Sequence, residues 1–174
     1  MAEIWEKEYL TLTAELLGTL TGSGSIREVY VTETGDRPAL VMIPALPSEG
    51  FEQVQFRFTV EHILEGTDQL QLMISLFDGV PAERLAEAER VIARLNEFMI
   101  LGNAAIFYES GLIFFNHAFV FDREMDVGTV TALLGKTMAI VMKTVPQIME
   151  ILAPVVNGNT AADALIAQGI DLIQ

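Results

Sequence analysis

Two histidines, His62 and His117, are the side chains in this sequence best suited to acid–base chemistry or metal binding at neutral pH. Each is flanked by strand-like sequence, and neither has a second ligand at the spacing that zinc sites use. The chain contains no cysteine, so disulfides, thiolate metal sites and cysteine nucleophiles are excluded together. We therefore expect both histidines to be structural, with no metal and no cofactor.

Other stretches with a chemical signature are incomplete. Gly135-Lys136-Thr137 resembles the end of a phosphate-binding loop, but that motif needs a glycine where Val130 stands. Asp122, Glu124 and Asp126 lack the spacing of a calcium-binding loop and are better placed to cap the helix that follows them. No serine lies in a nucleophile elbow. The sequence therefore predicts a protein that is not an enzyme and has no catalytic residues.

The charge of the chain limits its partners. Its 174 residues include 24 acidic and 10 basic side chains, which gives a net charge of −14 at pH 7. Phosphate backbones and anionic headgroups repel such a chain, so we expect neither nucleic acid nor a membrane surface as a partner. Hydrophobic residues make up 51% of the sequence, which is incompatible with intrinsic disorder. These proportions predict a folded domain with a substantial core.

One stretch is apolar enough to be mistaken for a membrane span. Thr129–Pro146 approaches the roughly 20 residues that a span needs. Lys136 and Lys143 interrupt it, and a charge near the bilayer centre costs about 2.5–3.5 kcal/mol, so we expect a long core helix. Met1–Leu20 lacks the basic start and apolar run of a signal peptide. The sequence therefore predicts a soluble, cytoplasmic protein.

The periodicity of apolar residues divides the first half of the chain into one helix and several strands. Residues 5–20 carry apolar side chains at three- and four-residue steps, which predicts an N-terminal amphipathic helix. The period then changes to two, as in Ala39–Ile43 and most clearly in Gln53–His62, which has one apolar and one polar face. Turns at Asp36-Arg37-Pro38 and Glu65–Asp68 join the strands. This pattern predicts an antiparallel meander.

A helix and a hairpin follow the meander. Pro81 suits the first turn of a middle helix, whose apolar positions lie opposite a charged face that we expect to be solvated. Ala104–Tyr108 and Leu112–Phe121 are strand-like and flank a turn at Ser110-Gly111, which predicts an antiparallel hairpin.

The C-terminal part of the sequence is helical. Asp126 is placed to cap a long helix that ends near Leu152. Thr160 and Asp163 have capping-box spacing at the start of a last short helix. We expect residues 1–156 to form a single α/β domain and residues 157–174 a C-terminal helical extension.

The sequence has more apolar surface than its predicted elements readily cover. Both faces of Leu112–Phe121 are largely apolar, and methionines are frequent on the long helix. Methionine fills cores but also suits surfaces that accept varied apolar partners. We therefore predict an interface, used first for self-association, formed by Ile113, Phe115, Phe119, Phe121, Met138, Met142 and Met149.

Several short motifs between Phe51 and Glu150 point to a known family. They are Leu95-Asn96 closing the middle helix, Gly102-Asn103-Ala104 opening the hairpin, Phe107-Tyr108, Gly111, and the long helix after Asp126. In these motifs and in its order of elements, the chain resembles the YbjN family and, more distantly, type III secretion chaperones. The resemblance implies helices packed on an antiparallel sheet, a dimer, and protein binding without catalysis. Secretion chaperones hold an extended client by β-addition or groove binding.

These observations combine into one prediction of fold and function. The fold class is α+β: an antiparallel meander and a hairpin form one sheet, packed by an N-terminal, a middle and a long C-terminal helix, as in secretion chaperones. The function is that of a non-enzymatic protein-interaction or regulatory domain, chaperone-like, which binds a protein partner through apolar surface and forms a homodimer. The alternative is a small apolar ligand held between sheet and helix by Phe56, Phe58, Phe114 and Met138.

Overall fold

Alternation of apolar and polar residues specifies the central strands. The computed structural model describes residues 10–11, 13–15, 18, 26–32, 38–44 and 54–169. In strand β3 (Phe56–Leu64), Phe56, Phe58 and Val60 are buried, and the residues between them are partly exposed. Strand β4 (Thr67–Phe77) repeats the pattern, with alternate residues buried along its length. Burial of each large apolar side chain contributes about 1.5–3 kcal/mol.

The turn between β3 and β4 is shorter than the sequence predicts. Thr67 and Asp68, which were expected in the turn, belong to β4, and Asp68 lies directly opposite His62. The chain reverses at Glu65-Gly66, where the φ of +75° at Gly66 is a conformation that favours glycine. The side chain of Asp68 is therefore fixed by strand pairing and is buried.

The described strands form one six-stranded antiparallel sheet. Strands β1 (Ile26–Thr32) and β2 (Ala39–Pro44) precede β3, and β5 (Asn103–Phe107) and β6 (Leu112–Asp122) follow β4. The order across the sheet is β1-β2-β3-β4-β6-β5, so β1 and β5 are the edge strands. The α+β fold class is confirmed, with meander and hairpin joined in one sheet.

The N-terminal helix is described in part. Residues 10–11, 13–15 and 18 are helical, and Leu10 is buried. The other residues of the predicted helix, and Asp36 and Arg37 of the predicted turn, lie outside the described residues.

Helix α1 (Ala82–Asn96) begins directly after Pro81, whose carbonyl accepts the N–H groups of Arg84 at 2.8 Å and Leu85 at 3.0 Å. Proline suits the start of a helix because the first N–H groups have no intrahelical partner. The last short helix of the chain, named α3 (Ala162–Gln168), packs against α1. The buried residues of α1 are Leu85, Ala88, Val91, Ile92 and Leu95, whereas Phe98, which the apolar spacing also favoured, lies beyond the end of the helix and is 40% exposed.

Helix α2 (Val127–Val156) is 30 residues long and continues past Leu152, where the sequence predicted its end. It contains Pro146 and Pro154. By length and composition, its 29 residues from Gly128 are apolar enough to cross a membrane, with a mean hydropathy of 1.5 and 33% of the most apolar window buried. A core helix of a soluble protein meets the same criteria. Cytoplasmic localisation therefore stays a prediction.

The start of α3 differs from the sequence-based expectation. Thr160 and Asp163 do not form a capping box, because α3 begins without a side-chain capping bond. The N–H of Ala162 instead donates to Glu87 Oε2 of α1 at 2.8 Å, and Asp163 pairs with Arg90. Side chains of α1 thus replace the local cap and attach α3 to α1.

The chain divides into two compact units. One comprises the described residues up to Ile74 together with His117–Met138, and the other comprises Ser75–Asn116 and the residues from Ala139 onward. Buried side chains of the first unit include Leu40, Met42, Phe56, Phe58, Leu70, Leu72, Ile74, Val130 and Leu134. Those of the second include Leu85, Leu95, Ile113, Phe115, Val145, Ile148, Leu152 and Val155. The predicted extension after residue 156 contributes α3 to the second unit.

Candidate functional site

An open depression of about 280 Å³ lies where helix α1 meets the edge strand β5. We name it the α1–β5 surface, and all of its residues belong to the second unit. Its lining combines apolar and polar groups, and consists of Glu89, Ile92, Ala93, Asn96, Ala104, Ala105, Ile106 and Tyr108. The volume is just below the roughly 300–1,000 Å³ of small-molecule pockets. Its size suits a protruding side chain better than a buried metabolite.

Asn96 closes part of the outer edge of β5. Its Nδ2 donates to the carbonyl oxygen of Ala104 at 3.0 Å, and the Ala104 N–H donates to Asn96 Oδ1 at 2.9 Å. The N–H and C=O of one strand residue point to the same side, so both groups of Ala104 face away from β6. The Asn96 amide therefore occupies the place of a further strand at Ala104, which protects an otherwise exposed edge.

Two glycines position the hairpin that carries β5. A Cβ on Gly102, where φ is +67°, would lie 2.5 Å from the Asn116 carbonyl oxygen and 2.5 Å from Phe115 Cζ. Gly111 has a φ of +69°, and its carbonyl accepts the Val80 N–H at 2.9 Å. Glycine alone accommodates both this backbone conformation and this close approach. The entry to β5 and the turn into β6 are thus fixed by the backbone.

Large apolar side chains are exposed around the ends of α1 and β5. Their exposed fractions are 40% for Phe98, 73% for Ile100, 50% for Phe107 and 51% for Tyr108. Phe107 stacks on Phe114 with ring centroids 4.3 Å apart, and the Arg94 guanidinium lies 4.7 Å from the Phe98 ring centroid. Neighbouring groups therefore hold these aromatic rings while leaving them accessible. Exposed aromatic and aliphatic side chains are enriched at protein interaction sites.

Tyr108 and Glu89 connect the two sides of the α1–β5 surface. The Tyr108 phenol donates a hydrogen bond to the Glu89 carboxylate. This bond, with desolvation and the negative charge of Glu89, raises the pKa of Tyr108 above its usual value of 10.0. At physiological pH the phenol is protonated and can donate to the Glu89 carboxylate.

A second polar group, the hairpin charge cluster, lies in the first unit and consists of His62, Asp68 and Arg123. The buried Asp68 carboxylate accepts Arg123 Nε at 3.1 Å, Arg123 Nη2 at 2.9 Å, and His62 Nδ1. The backbone N–H of Arg123 also donates to the Gly66 carbonyl at 2.9 Å. Both carboxylate oxygens are used within the chain, and the cluster attaches the β3–β4 turn to the segment after β6.

The partners of Asp68 keep it ionised. Burial raises the pKa of Asp68, but hydrogen bonds from Arg123 and His62 and their positive charges outweigh that effect, so the pKa lies below its usual value of 3.8. A histidine on a carboxylate is also the arrangement of a general base and its orienting group. Because the same carboxylate binds Arg123 through both oxygens, we interpret the cluster as a buried ion pair that stabilises the hairpin.

Sequence reasoning missed the hairpin charge cluster because it treated His62 as a lone strand residue and placed Asp68 in a turn. The signal for pairing these two is the hairpin register, which follows once Glu65-Gly66 is recognised as the turn. Arg123 is 55 residues from Asp68, and no local pattern links them. The hydrogen bonds between Asn96 and Ala104 in the α1–β5 surface were also not predictable, because they depend on the path of the loop that joins α1 to β5.

The remaining candidate residues occupy structural positions. His117 is partly buried, which lowers its pKa, and its ring centroid lies 6.4 Å from that of Phe119. Asp126 caps α2 as predicted by accepting the Thr129 N–H at 3.0 Å. Gly135-Lys136-Thr137 lies inside α2 and not in a loop. Within the described ranges, no group of three or more His, Cys, Asp or Glu side chains is placed to hold a metal ion.

Most residues of the predicted self-association interface are buried within the chain. Ile113, Phe115, Phe121, Met138 and Met149 are at most 6% exposed, whereas Phe119 and Met142 are partly exposed. A second chain would reach the five buried side chains only after a rearrangement. An apolar face has the same sequence pattern whether its own chain or a partner covers it. An interface at the two partly exposed residues stays a prediction.

The residues of the alternative ligand pocket are buried as well. Phe56 and Phe58 are fully buried, and the exposed fractions of Phe114 and Met138 are 9% and 6%. The α1–β5 surface contains none of the four. Binding of a small apolar ligand by these residues stays a prediction.

No family model and no curated protein sequence matches this chain. Membership of the YbjN family or of the secretion chaperones therefore remains an expectation. The structure gives physical roles to three of the motifs on which the resemblance rests. Asn96 hydrogen-bonds Ala104, Gly102 leaves room for Phe115 and the Asn116 backbone at the start of β5, and Phe107 stacks on Phe114.

Proposed function

We propose that this chain is a non-enzymatic, chaperone-like or regulatory protein-binding domain, and that a segment of its partner docks on the α1–β5 surface. The observation that carries the proposal is the open depression lined by the half-exposed Tyr108, together with the exposed apolar side chain of Ile100 in the loop that joins α1 to β5. Covering one such side chain contributes about 1.5–3 kcal/mol. A few of them supply an affinity suited to a reversible complex.

The arrangement of β5 favours groove binding over strand addition. Strand addition needs a row of unpaired backbone N–H and C=O groups at a sheet edge. Strand β5 is only five residues long, and Asn96 already bonds both backbone groups of Ala104. A partner segment therefore gains most from placing side chains against Ala93, Ala105 and Ile106 in the depression.

Self-association belongs to the same proposal. Exposed apolar side chains draw two copies together, while a net charge of −14 on each copy opposes contact. We therefore expect a weak, salt-dependent homodimer that competes with the docking of other partners.

Affinity purification of the tagged full chain from its own host cells tests the proposal. Ile100→Asp places a charge at a side chain that is 73% exposed, and should remove most co-purifying protein because it disrupts apolar contact without touching the core. The matched control is Leu64→Asp, a side chain 71% exposed in the first unit, which should leave the bound proteins unchanged. If Ile100→Asp retains the same proteins as the unmodified chain, the proposed docking surface is wrong.

A further inference from the structure

Glu89 is the charged residue that lines the depression of the α1–β5 surface. Two arginines of α1, Arg90 and Arg94, pair with other carboxylates. Among the residues that the structure describes, Glu89 enters no ion pair, and its hydrogen-bond partner is Tyr108. The depression therefore combines apolar residues with one negative charge that the described part of the chain leaves uncompensated.

The Glu89 carboxylate has capacity for a further donor. An ionised carboxylate offers about four lone-pair sites, and the Tyr108 phenol uses one of them. The aromatic ring that carries this phenol is half-exposed and lines the same depression. A cation next to a carboxylate and an aromatic ring gains from both the ion pair and the cation–π interaction.

We propose that the partner segment docked on the α1–β5 surface carries a lysine or arginine next to a large apolar side chain. This inference rests on the proposed function. The apolar side chain packs against Ile92, Ala93 and Ile106, and the cation binds Glu89. The net charge of −14 favours the same partner at long range, because an acidic protein attracts a basic segment.

The charge of the chain also favours binding of this basic and apolar segment over binding of other segments in the depression. A second copy brings another net charge of −14, and an acidic peptide places a carboxylate against Glu89. A neutral apolar segment fills the floor but leaves the Glu89 carboxylate desolvated without a cation, which costs binding free energy. The basic and apolar segment alone satisfies both parts of the lining.

Selection of random peptides displayed on phage against the full chain identifies the preferred chemistry directly. We expect enriched peptides to carry a lysine or arginine beside a leucine, isoleucine, phenylalanine or tryptophan. A synthetic peptide of the enriched sequence should bind Glu89→Gln about fivefold more weakly than the unmodified chain, because glutamine keeps the hydrogen bond to Tyr108 but loses the charge. The control Glu83→Gln, at an exposed position of α1 outside the depression, should bind within about twofold of the unmodified chain.

Ala93→Gln distinguishes the partner chemistry from the docking surface itself. Glutamine is a good helix former, so the exposed helical site should tolerate it, while its longer side chain fills the depression and blocks docking. If the enriched peptides lack a cation and bind Ala93→Gln more weakly than the unmodified chain, the proposed partner chemistry is wrong and the proposed docking surface is supported. Peptides that bind Ala93→Gln and Glu89→Gln as tightly as the unmodified chain would overturn both. Failure to enrich any peptide would also overturn the proposed partner chemistry.

Discussion

At the scale of single residues, Asp68 shows how the fold accommodates a charge in its interior. Its side chain has no solvent exposure, yet Arg123 and His62 keep its pKa low. The Arg123 side chain is 42% exposed, so the cation keeps part of its hydration while it neutralises the carboxylate. An ion pair arranged in this way contributes more than one exposed on both sides, because the carboxylate has no alternative partner in water.

Stability should depend on pH through Asp68. Because the folded-state pKa lies below the usual 3.8, the stabilisation is fully present above that value and is lost as the pH falls through the folded-state pKa. Asp68→Asn should lower the free energy of unfolding by about 2 kcal/mol at neutral pH and flatten its decline below about pH 4. Urea unfolding across this pH range measures both effects.

The exposed Asp78 provides the control for this prediction. Among the residues that the structure describes, its carboxylate accepts only the neighbouring Gly79 N–H, at 2.9 Å, and asparagine keeps an acceptor there. Asp78→Asn should preserve both the stability and the acid dependence of the unmodified chain. Parallel stability curves for Asp68→Asn and the unmodified chain would contradict the account of the hairpin charge cluster.

Gly102 is the residue whose replacement should most directly distort the approach to β5. Gly102→Ala introduces a Cβ 2.5 Å from a backbone oxygen at a positive φ, and should cost at least about 1–2 kcal/mol from the backbone conformation alone. Thermal unfolding measures the loss. Gly135→Ala is the control, because position 135 is an exposed site inside α2 with open space for a Cβ, and alanine there should stabilise the helix. Equal stability of Gly102→Ala and the unmodified chain would show that the loop accommodates a side chain.

At the scale of elements, the edge strand β5 depends on Asn96. Asn96→Ala should lower the free energy of unfolding by about 1–2 kcal/mol, because both backbone groups of Ala104 lose their partner. It should also increase self-association, since an open edge accepts a strand from another copy. Urea unfolding and sedimentation velocity measure the two effects. The control is Asn103→Ala, at an exposed position of β5 next to Ala104, which should change neither the stability nor the self-association. If Asn96→Ala stays as monomeric as the unmodified chain, Asn96 does not protect the edge of β5.

Periodicity within an element explains what was predictable from sequence. Alternation at Phe56, Phe58 and Val60 identifies β3, and the stripe from Leu85 to Leu95 identifies α1, because each pattern depends on residues of one element. The capping role of Asp126 is equally local.

Contacts between elements were not predictable from the same patterns. The bond from Asn96 to Ala104 and the ion pair from Arg123 to Asp68 join separate elements, so local spacing carries no signal for either. Ile113 and Phe115 show the converse problem, because an apolar strand face indicates that something covers it and not which element does so.

At the scale of the whole molecule, charge and apolar surface act in opposite directions on self-association. Salt screens repulsion between copies that each carry a net charge of −14 but leaves apolar attraction intact. The mean mass in sedimentation equilibrium should therefore rise between about 50 mM and about 500 mM sodium chloride. Ile100→Asp should reduce this rise. A mass that falls with added salt would show that specific ion pairs, and not apolar contacts, hold the copies together.

Photo-crosslinking from position 108 tests the docking surface most directly, because Tyr108 lines the depression and is exposed. A photoreactive phenylalanine analogue replaces Tyr108 in the full chain, expressed in its own host cells, and Tyr30, an exposed aromatic residue on the edge strand β1, provides the control position. We expect discrete protein adducts from position 108 that are missing from position 30. No adduct from position 108, or the same adducts from both positions, would contradict the proposed docking surface.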